Sequence, residues 1–275
     1  MASREDWIGR TGAEWARRGA ALERLLGPAG EAGLQALGAR PGERVLDVGC
    51  GAGTSTEELA KAVGQEGHVT GVDVSPDLLA IARDRLEGYA NVTLLEADAE
   101  RADLGPPAGA LYSRFGSMFF DDPPAAFQNL AGALVPDARA VFVAWREPAR
   151  NQWASVPMTF SAEGLIPAAP PPGPGPFAWA DPGVFQPLLE QAGFRDIRMQ
   201  DHEFMAEISE GEDPNPVVRS ADFMMRIGPM AARLRGATEE AKAEAREFLC
   251  QRLARHEMDG AVRLLASAWV IEARR

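Results

Sequence analysis

Apolar and polar positions along residues 40–145 alternate in a way that predicts strands and helices in turn. Short runs rich in β-branched residues are each followed by a longer stretch with apolar residues at spacings of three and four. Five strands separated by helices of this length favour a mainly parallel sheet with right-handed crossovers. The predicted strands are 45–48, 69–74, 92–95, 110–113 and 140–145.

Helical spacing also marks the segment before the first strand. Apolar residues recur at intervals of three and four over 11–26, among Arg and Glu. Gly27 and Pro28 predict an interruption there, because proline disfavours a helix interior. A second short helix is then predicted over 29–37.

After Trp145 the regular alternation stops. A stretch rich in Pro and Gly, 167–176, predicts a loop or lid. Beyond it the pattern predicts a helix over 182–193, a strand over 194–208, a helical insert over 213–258 and a last strand over 262–271.

These elements predict one domain of α/β class over 1–275. The expected fold is Rossmann-like and doubly wound, with a mainly parallel seven-stranded sheet and a cap of helices and loops. The core is assigned to about 37–150, 182–208 and 260–275. The cap is assigned to 1–36, 151–181 and 213–258.

Composition limits the class of partner. With 46% hydrophobic residues, 275 residues can bury a sizeable core. The net charge of −12 disfavours a nucleic-acid partner, because phosphates are neutralised by clustered Lys and Arg. Two cysteines make neither a disulfide framework nor a zinc site, so no metal is expected. The charged first residues and the absence of a run of about 18 apolar residues predict neither a secretory signal nor a membrane partner. We therefore expect a cytoplasmic protein, and the oligomeric state stays open.

A glycine-rich turn follows the first predicted strand. Gly49, Gly51 and Gly53 allow a sharp turn and a close approach of the backbone to a ligand. A dinucleotide fingerprint requires glycine at the sixth position from Gly49, where this chain has Thr54. Thr54 with Glu57, or Ser55 with Glu58, predicts a capping box at the start of the next helix. Acids in that first turn suit a positively charged ligand better than a pyrophosphate.

This turn resembles the first motif of the class I S-adenosylmethionine-dependent methyltransferases, an acid followed after one residue by G-x-G-x-G. The resemblance implies that Asp47 lies near the amine of the cofactor. It also implies that Asp73, followed by Val74, binds the ribose and that Asp98 and Ala99 bind the adenine. The segment 113–120, beginning at Ser113, resembles the part of the family where the activated methyl group meets its acceptor. The cofactor-binding residues predicted in this way are Asp47, Gly49, Gly51, Gly53, Asp73, Val74, Asp98, Ala99 and Ser113.

The chain also resembles a bacterial subgroup of small-molecule methyltransferases over nearly its full length. The resemblance lies in 12–15, 145–146, 151–153 and 175–181. Two departures stand out: 108–110 replaces the usual Phe-Asp at the fourth strand, and the N/D-P-P-Y/F motif is missing after it. The second departure puts nucleobase and glutamine substrates in doubt.

Several aromatic and polar residues are candidates for binding the acceptor. Phe177 and Trp179 follow the Pro-rich stretch and belong either to the core or to the acceptor pocket, and His202 faces either that pocket or the surface. No catalytic residue is identified, and a general base is needed only if the acceptor holds its proton tightly. The candidates are Trp15, Arg114, Phe115, Met118, Phe177, Trp179 and His202.

The resemblance implies transfer of a methyl group from S-adenosylmethionine to a small-molecule acceptor through an O, N or C nucleophile. Two alternatives stay open: use of the cofactor without methyl transfer, and a regulatory protein that binds the cofactor without turnover. A nicotinamide oxidoreductase is disfavoured by Thr54. The sequence does not identify the acceptor, its nucleophilic atom or the pathway.

Overall fold

The computed structural model describes residues 4–160 and 173–275. The strands in this part of the chain are β1 (Arg44–Val48), β2 (His68–Asp73), β3 (Val92–Glu96), β4 (Ala108–Arg114), β5 (Leu134–Trp145), β6 (Arg195–Glu207), β7 (Glu257–Met258) and β8 (Ala261–Arg274). The α-helices are α1 (Arg4–Ile8), α2 (Arg10–Arg17), α3 (Gly19–Leu37), α4 (Thr54–Val63), α5 (Pro76–Arg85), α6 (Pro123–Gly132), α7 (Gln152–Met158), α8 (Pro182–Gln191), α9 (Pro216–Met224), α10 (Pro229–Arg233) and α11 (Glu239–Leu253).

Seven strands form one continuous sheet in the order β3-β2-β1-β4-β5-β8-β6. The first five pair in parallel, and β8 pairs antiparallel with both β5 and β6. The two-residue β7 pairs with β8 outside this order. The predicted α/β fold with a mainly parallel sheet is confirmed. The order of the strands reverses between β1 and β4, and open α/β sheets bind ligands at such a point.

The helices before β1 differ from the prediction. The predicted helix 11–26 is two helices, α2 and α3, which meet at Arg18. The predicted break at Gly27 and Pro28 is wrong, because α3 continues through Pro28 to Leu37. A proline inside a helix costs about 3 kcal/mol. Burial of one whole face of α3 against the sheet offsets this cost. The buried residues of that face include Leu22, Leu25, Leu26, Ala29 and Leu37.

Helix α3 lies very close to the sheet because two of its glycines face β4 and β5. A β-carbon on Gly33 would lie 2.4 Å from Cγ2 of Val143, and one on Gly30 would lie 2.6 Å from Cδ of Arg114. The hydroxyl of Tyr112 donates to the carbonyl of Gly30 at 2.8 Å. The second half of α3 is thereby placed against the carboxyl end of β4.

The segments after β5 include helices that pack on one another. The buried Arg233 of α10 donates to the carbonyls of Pro157 and Phe160 at the end of α7, at 3.0 and 2.7 Å. A cation at this position suits the negative end of a helix. Most of the predicted loop 167–176 lies outside the described residues. In the described part of the chain, none of the helices is long and apolar enough to cross a bilayer.

Candidate active site

A cavity lies at the carboxyl ends of β1, β2, β3 and β4. It encloses about 790 Å³ of space between the side chains, part of it open to solvent. Among the described residues, its lining consists of Arg4, Trp7, Trp15, Val48, Gly49, Gly51, Val72, Asp73, Val74, Leu78, Ala97, Asp98, Ala99, Glu100, Arg114, Phe115, Gly116, Phe119 and Phe120.

The turn after β1 presents bare backbone to this cavity. Gly49 and Gly51 have φ values of 70° and 54°, which belong to the left-handed region that side chains rarely adopt. A β-carbon on Gly51 would lie in open space, 4.0 Å from Cδ1 of Leu78 on the cavity wall. A ligand can therefore approach this backbone closely.

The third glycine of the turn has a different position. Gly53, with φ of 79°, is the residue that caps α4. A β-carbon on Gly53 would lie 3.1 Å from both Cβ of Ala82 and Cδ1 of Leu86. The structure therefore places Gly53 against α5 instead of in the cavity wall.

Asp47 is buried beneath the turn. Its Oδ2 accepts hydrogen bonds from Oγ of Ser55 at 2.8 Å and from Oγ1 of Thr56 at 2.6 Å. Its Oδ1 is buried without a hydrogen-bond partner among residues 4–160 and 173–275. Burial raises the pKa of Asp47 to about 6. A positively charged group close to Oδ1 would stabilise the ionised form.

The contacts of Asp47 also explain the outcome for the predicted capping boxes. The cap residue of α4 is Gly53, which has no side chain to cap a helix. Ser55 lies inside the helix and donates to Asp47. The prediction that Thr54 or Ser55 caps α4 is therefore wrong.

Asp73, at the end of β2, joins two turns and lines the cavity. Its Oδ2 accepts from the backbone N–H of Gly51, and its Oδ1 accepts from that of Ser75, both at 2.8 Å. Burial raises the pKa of this carboxyl group. The predicted neighbour Val74 lines the cavity beside it.

Two acids follow β3 on the cavity wall. Asp98 accepts from the backbone N–H of Glu100 at 3.0 Å, and its Oδ2 lies 3.4 Å from Nε of Arg4. Glu100 accepts from the backbone N–H groups of Asp121 and Asp122 at 2.6 and 3.2 Å. Burial raises the pKa of Glu100. The sequence analysis missed Arg4 and Glu100, because neither stands in a motif.

The end of β4 contributes a residue with an unusual backbone. Phe115 has φ of 59°, which for a residue with a β-carbon costs roughly 1–2 kcal/mol. Its ring stacks on Trp145 with centroids 4.3 Å apart. Ser113, two positions earlier, is buried and donates to the carbonyl of Val48 at 2.9 Å. Ser113 thus joins β4 to β1 below the cavity.

Helices α1 and α2 cover the cavity. The ring of Trp7 makes edge contacts with Trp15 and Phe119, with centroids 5.0 Å away in each case. A β-carbon on Gly12 would lie 2.2 Å from Oγ of Ser75, so α2 rests directly on the turn after β2. Trp7 was missed in the sequence, where its only signal is a large aromatic residue in a charged segment.

The candidate acceptor residues fall into two groups. Trp15, Arg114 and Phe115 line the cavity. The other four candidates lie outside the lining that the described residues form. Met118 is buried, and its carbonyl accepts from the backbone N–H of Gly175 at 2.9 Å.

The other three aromatic candidates contact neighbouring rings. Trp179 is 3% exposed and packs against Phe127 and Phe185, with centroids 5.8 and 5.0 Å away. Phe177 stacks on Trp153 at 5.6 Å. Trp153 in turn contacts Trp145, the ring behind Phe115. Phe177 is therefore joined to the cavity wall through a series of ring contacts. His202, on β6, stacks on Phe204 at 5.4 Å.

The segment 151–153, which carried part of the family resemblance, fastens the chain after β5 to β8. Asn151 is fully buried, and its Oδ1 accepts from Nε1 of Trp153 and the backbone N–H of Ser267 at 3.1 and 3.0 Å. Its Nδ2 donates to three carbonyls, including that of Ser267 at 3.1 Å. Oε1 of Gln152 accepts from the backbone N–H of Leu265 at 2.7 Å. These contacts are structural, and none of them involves the cavity lining.

Comparison with known proteins gives a consistent result. Residues 45–137 match the family described as "Methyltransferase domain". The chain is 28% identical over 167 residues to 2-phytyl-1,4-naphtoquinone methyltransferase of Thermosynechococcus vestitus, covering 57% of this chain and 74% of that protein. It is 29% identical over 143 residues to the protein of the same name from Nostoc sp., covering 50% of this chain and 62% of that protein.

A solved structure shows the same fold over nearly the whole chain. The YcgJ protein from Bacillus subtilis superposes with a TM-score of 0.57 at 14% identity, covering 90% of this chain and 97% of that one. Together with the matched domain and the relatives, this fold confirms the family resemblance. The resemblance confirmed in this way is to the class I S-adenosylmethionine-dependent methyltransferases, and the family match itself lies within residues 45–137.

Proposed function

We propose that the chain transfers a methyl group from S-adenosylmethionine to a small acceptor that carries an apolar ring. The observation that carries this proposal is the cavity at four adjacent strand ends. That cavity brings Asp98, Asp73 and the backbone of Gly51 together along the edge of the sheet.

The charges around the cavity fit this cofactor. Three carboxylates line it, those of Asp73, Asp98 and Glu100, and they favour a ligand with a positive sulfur and a positive amine. They would repel the pyrophosphate of a nicotinamide dinucleotide. In this proposal Asp98 and Ala99 bind the adenine, and Asp73 binds the two ribose hydroxyls.

The turn after β1 would hold the amino-acid end of the cofactor. Gly49 and Gly51 supply the close backbone, and Asp47 supplies a buried carboxylate oxygen without a partner among the described residues. Gly53 and Ser113 act indirectly, since Gly53 packs the turn against α5 and Ser113 joins β4 to β1.

When bound, the cofactor supplies a methyl group on a sulfonium: the acceptor's electron pair forms the new bond, and the carbon–sulfur pair leaves with sulfur. The chain's part is to position the acceptor and exclude water. Trp7, Trp15, Phe115 and Phe119 provide aromatic walls for this purpose. The same walls support an acceptor with a planar ring, and the relatives' names are those of quinone methyltransferases.

We further propose that the cap comprises 1–36, 151–181 and 213–258, over a core of about 37–150, 182–208 and 260–275. Trp7 and Trp15 support the first assignment, because they cover the cavity. The contact of Arg233 with the end of α7 supports grouping the second and third segments.

The test is to incubate the protein with S-adenosylmethionine and a panel of hydroquinones, phenols and ring amines. We expect S-adenosylhomocysteine together with one methylated ring compound in mass spectrometry. Consumption of the cofactor without a methylated product would indicate other chemistry, and binding without consumption would indicate a regulatory protein. Either result would overturn the proposal, as would tight binding of NADH.

A further inference from the structure

A partly buried ion pair lies at the β4 end of the cavity and has no part in the function proposed above. Nη1 and Nη2 of Arg114 donate to the two carboxylate oxygens of Glu23 at 2.8 and 2.7 Å. The Arg114 side chain is 13% exposed and lines the cavity. A guanidinium has five N–H groups and this pair uses two of them, so Arg114 retains donors for a second acceptor.

The position of Arg114 among the strands indicates which part of a ligand it meets. β4 pairs with β1, so Arg114 at the end of β4 lies beside the glycine turn that follows β1. The other cation in the described lining, Arg4, contacts Asp98 beyond β3, three strands away from β4 in the sheet. The two guanidiniums therefore occupy opposite ends of an otherwise acidic cavity.

On the basis of the proposed function, we infer that Arg114 binds the α-carboxylate of the cofactor and that Glu23 is a positioning residue for the Arg114 guanidinium. In a cavity lined by three carboxylates, the carboxylate of the ligand needs a cation beside it. The planar fork of arginine matches a carboxylate with two parallel hydrogen bonds.

The charge state of Glu23 agrees with this role. Burial is the largest single influence and works to raise the pKa of Glu23. The hydrogen bonds and the positive charge of Arg114, with smaller contributions from Thr54 and Arg85, together outweigh burial and hold that pKa below its ordinary value. Glu23 is thus ionised at neutral pH. Its two oxygens fix the plane of the guanidinium, so that the remaining N–H groups keep one direction.

Helix α3 offers a way to move Arg114 without replacing it. A β-carbon on Gly30 would lie 2.6 Å from Cδ and 3.1 Å from Nη1 of Arg114, so Gly30→Ala must displace the side chain. Gly19, on the same helix, is a matched control because a β-carbon there meets nothing within 4 Å. Arg114→Lys keeps the charge and removes the fork.

The experiment is calorimetric titration with two ligands. S-adenosylhomocysteine has the α-carboxylate, whereas 5′-methylthioadenosine has the same nucleoside and sulfur but no amino-acid group. We expect Gly30→Ala and Arg114→Lys to weaken the binding of S-adenosylhomocysteine at least about tenfold, equivalent to 1.4 kcal/mol. We expect the affinity for 5′-methylthioadenosine to change less than about twofold. Glu23→Gln should also weaken only the binding of S-adenosylhomocysteine, by a smaller factor. Gly19→Ala should bind both ligands as the wild type does.

Each other outcome has a definite meaning. If folded Gly30→Ala and Arg114→Lys bind both ligands equally more weakly, the ion pair of Glu23 and Arg114 is merely structural and the inference is overturned. Unchanged affinity for S-adenosylhomocysteine in both variants would overturn it too, and would assign Arg114 to the acceptor. Failure of the wild type to bind S-adenosylhomocysteine would overturn the proposed function itself. Thermal unfolding of each variant, followed by circular dichroism, identifies any that do not fold.

Discussion

Gly49 and Gly116 touch through their main chains. A β-carbon on Gly49 would lie 2.8 Å from Cα of Gly116, and one on Gly116 would lie 2.9 Å from Cα of Gly49. The turn after β1 and the segment after β4 are therefore as close as two backbones can pack. In the proposed function, the first holds the cofactor and the second contains Phe115, which faces the acceptor. Their spacing fixes the distance between the two ligands.

Gly116→Ala should disturb both segments at once. The backbone of Gly116 has φ of −77° and ψ of −46°, which alanine adopts easily, so the effect comes from the collision with Gly49. We expect a loss of about 1–3 kcal/mol in the free energy of unfolding and weaker binding of S-adenosylhomocysteine, measured by urea denaturation and calorimetry. Gly132→Ala is the control, since a β-carbon there meets nothing within 4 Å. Wild-type stability and affinity in Gly116→Ala would contradict this account.

The two acids proposed to bind the nucleoside should differ in importance for its affinity. Asp73→Ala removes the proposed acceptor of two ribose hydroxyls and should weaken the binding of S-adenosylhomocysteine at least about tenfold. Asp98→Ala should lower the affinity less than Asp73→Ala does, because it removes one contact with a neutral amine while the backbone N–H of Ala99 remains. Calorimetric titration gives the order directly. A larger loss for Asp98→Ala in folded protein would mean that the two roles are exchanged.

Binding of the cofactor product should depend on pH through Asp47. Burial raises the pKa of Asp47 from its ordinary 3.8 to about 6, so below pH 6 the carboxyl group is mainly protonated in the free protein. A ligand amine beside Oδ1 favours the ionised form, so binding must release a proton there. We expect the affinity for S-adenosylhomocysteine to rise by up to about tenfold per pH unit below pH 6 and to level off above pH 7. Asp47→Asn should lose this dependence, and an unchanged pH profile in that variant would contradict the assignment.

The same shift affects the stability of the free protein with a defined sign. The pKa of Asp47 is higher in the folded protein than in the unfolded chain, so ionisation of this group opposes folding. Its contribution to the free energy of unfolding is therefore largest below about pH 4 and is lost as the pH rises through about 6.

Asn151 should matter for stability and not for the cofactor. Asn151→Ala leaves the indole N–H of Trp153 and the backbone N–H of Ser267 without their acceptor. Buried groups left unpaired cost about 1–3 kcal/mol each, so we expect a loss of roughly 3 kcal/mol in urea denaturation. Gln152→Ala removes the acceptor of one backbone N–H and should cost about 1 kcal/mol. Unchanged affinity for S-adenosylhomocysteine in folded Asn151→Ala would agree with this role, and a large loss would place the segment at the cofactor.

The two aromatic residues after the Pro-rich stretch should behave differently. Trp179→Ala should lower the free energy of unfolding by about 3–5 kcal/mol, because Trp179 packs among core rings. Phe177→Ala should lower turnover far more than cofactor affinity, because its stack on Trp153 leads to the cavity wall. Steady-state kinetics and calorimetry on the same Phe177 variant separate these effects. Unaltered turnover in the Phe177 variant would show that this ring has only a structural role.

The sheet and the acids at its edge could be predicted because each follows a local rule. A run rich in β-branched residues ends in an acid at Asp73, and parallel pairing brings such strand ends to one edge. The pair between Glu23 and Arg114 could not be predicted, since its members are 91 positions apart and meet only because α3 lies flat on the sheet. The continuity of α3 through Pro28 has the same origin, because burial of a whole face overrides a local preference.

Strand β8 lies inside the sheet, between β5 and β6, although it follows all the other strands in the chain. During synthesis from the N-terminus, one edge of β5 therefore stays unpaired until residues 261–274 have been made. Until then β6 has no partner in this sheet. Unpaired strand edges favour association with other chains. Loss of the final strand should thus leave a chain that contains every proposed cofactor contact and yet aggregates before it can bind.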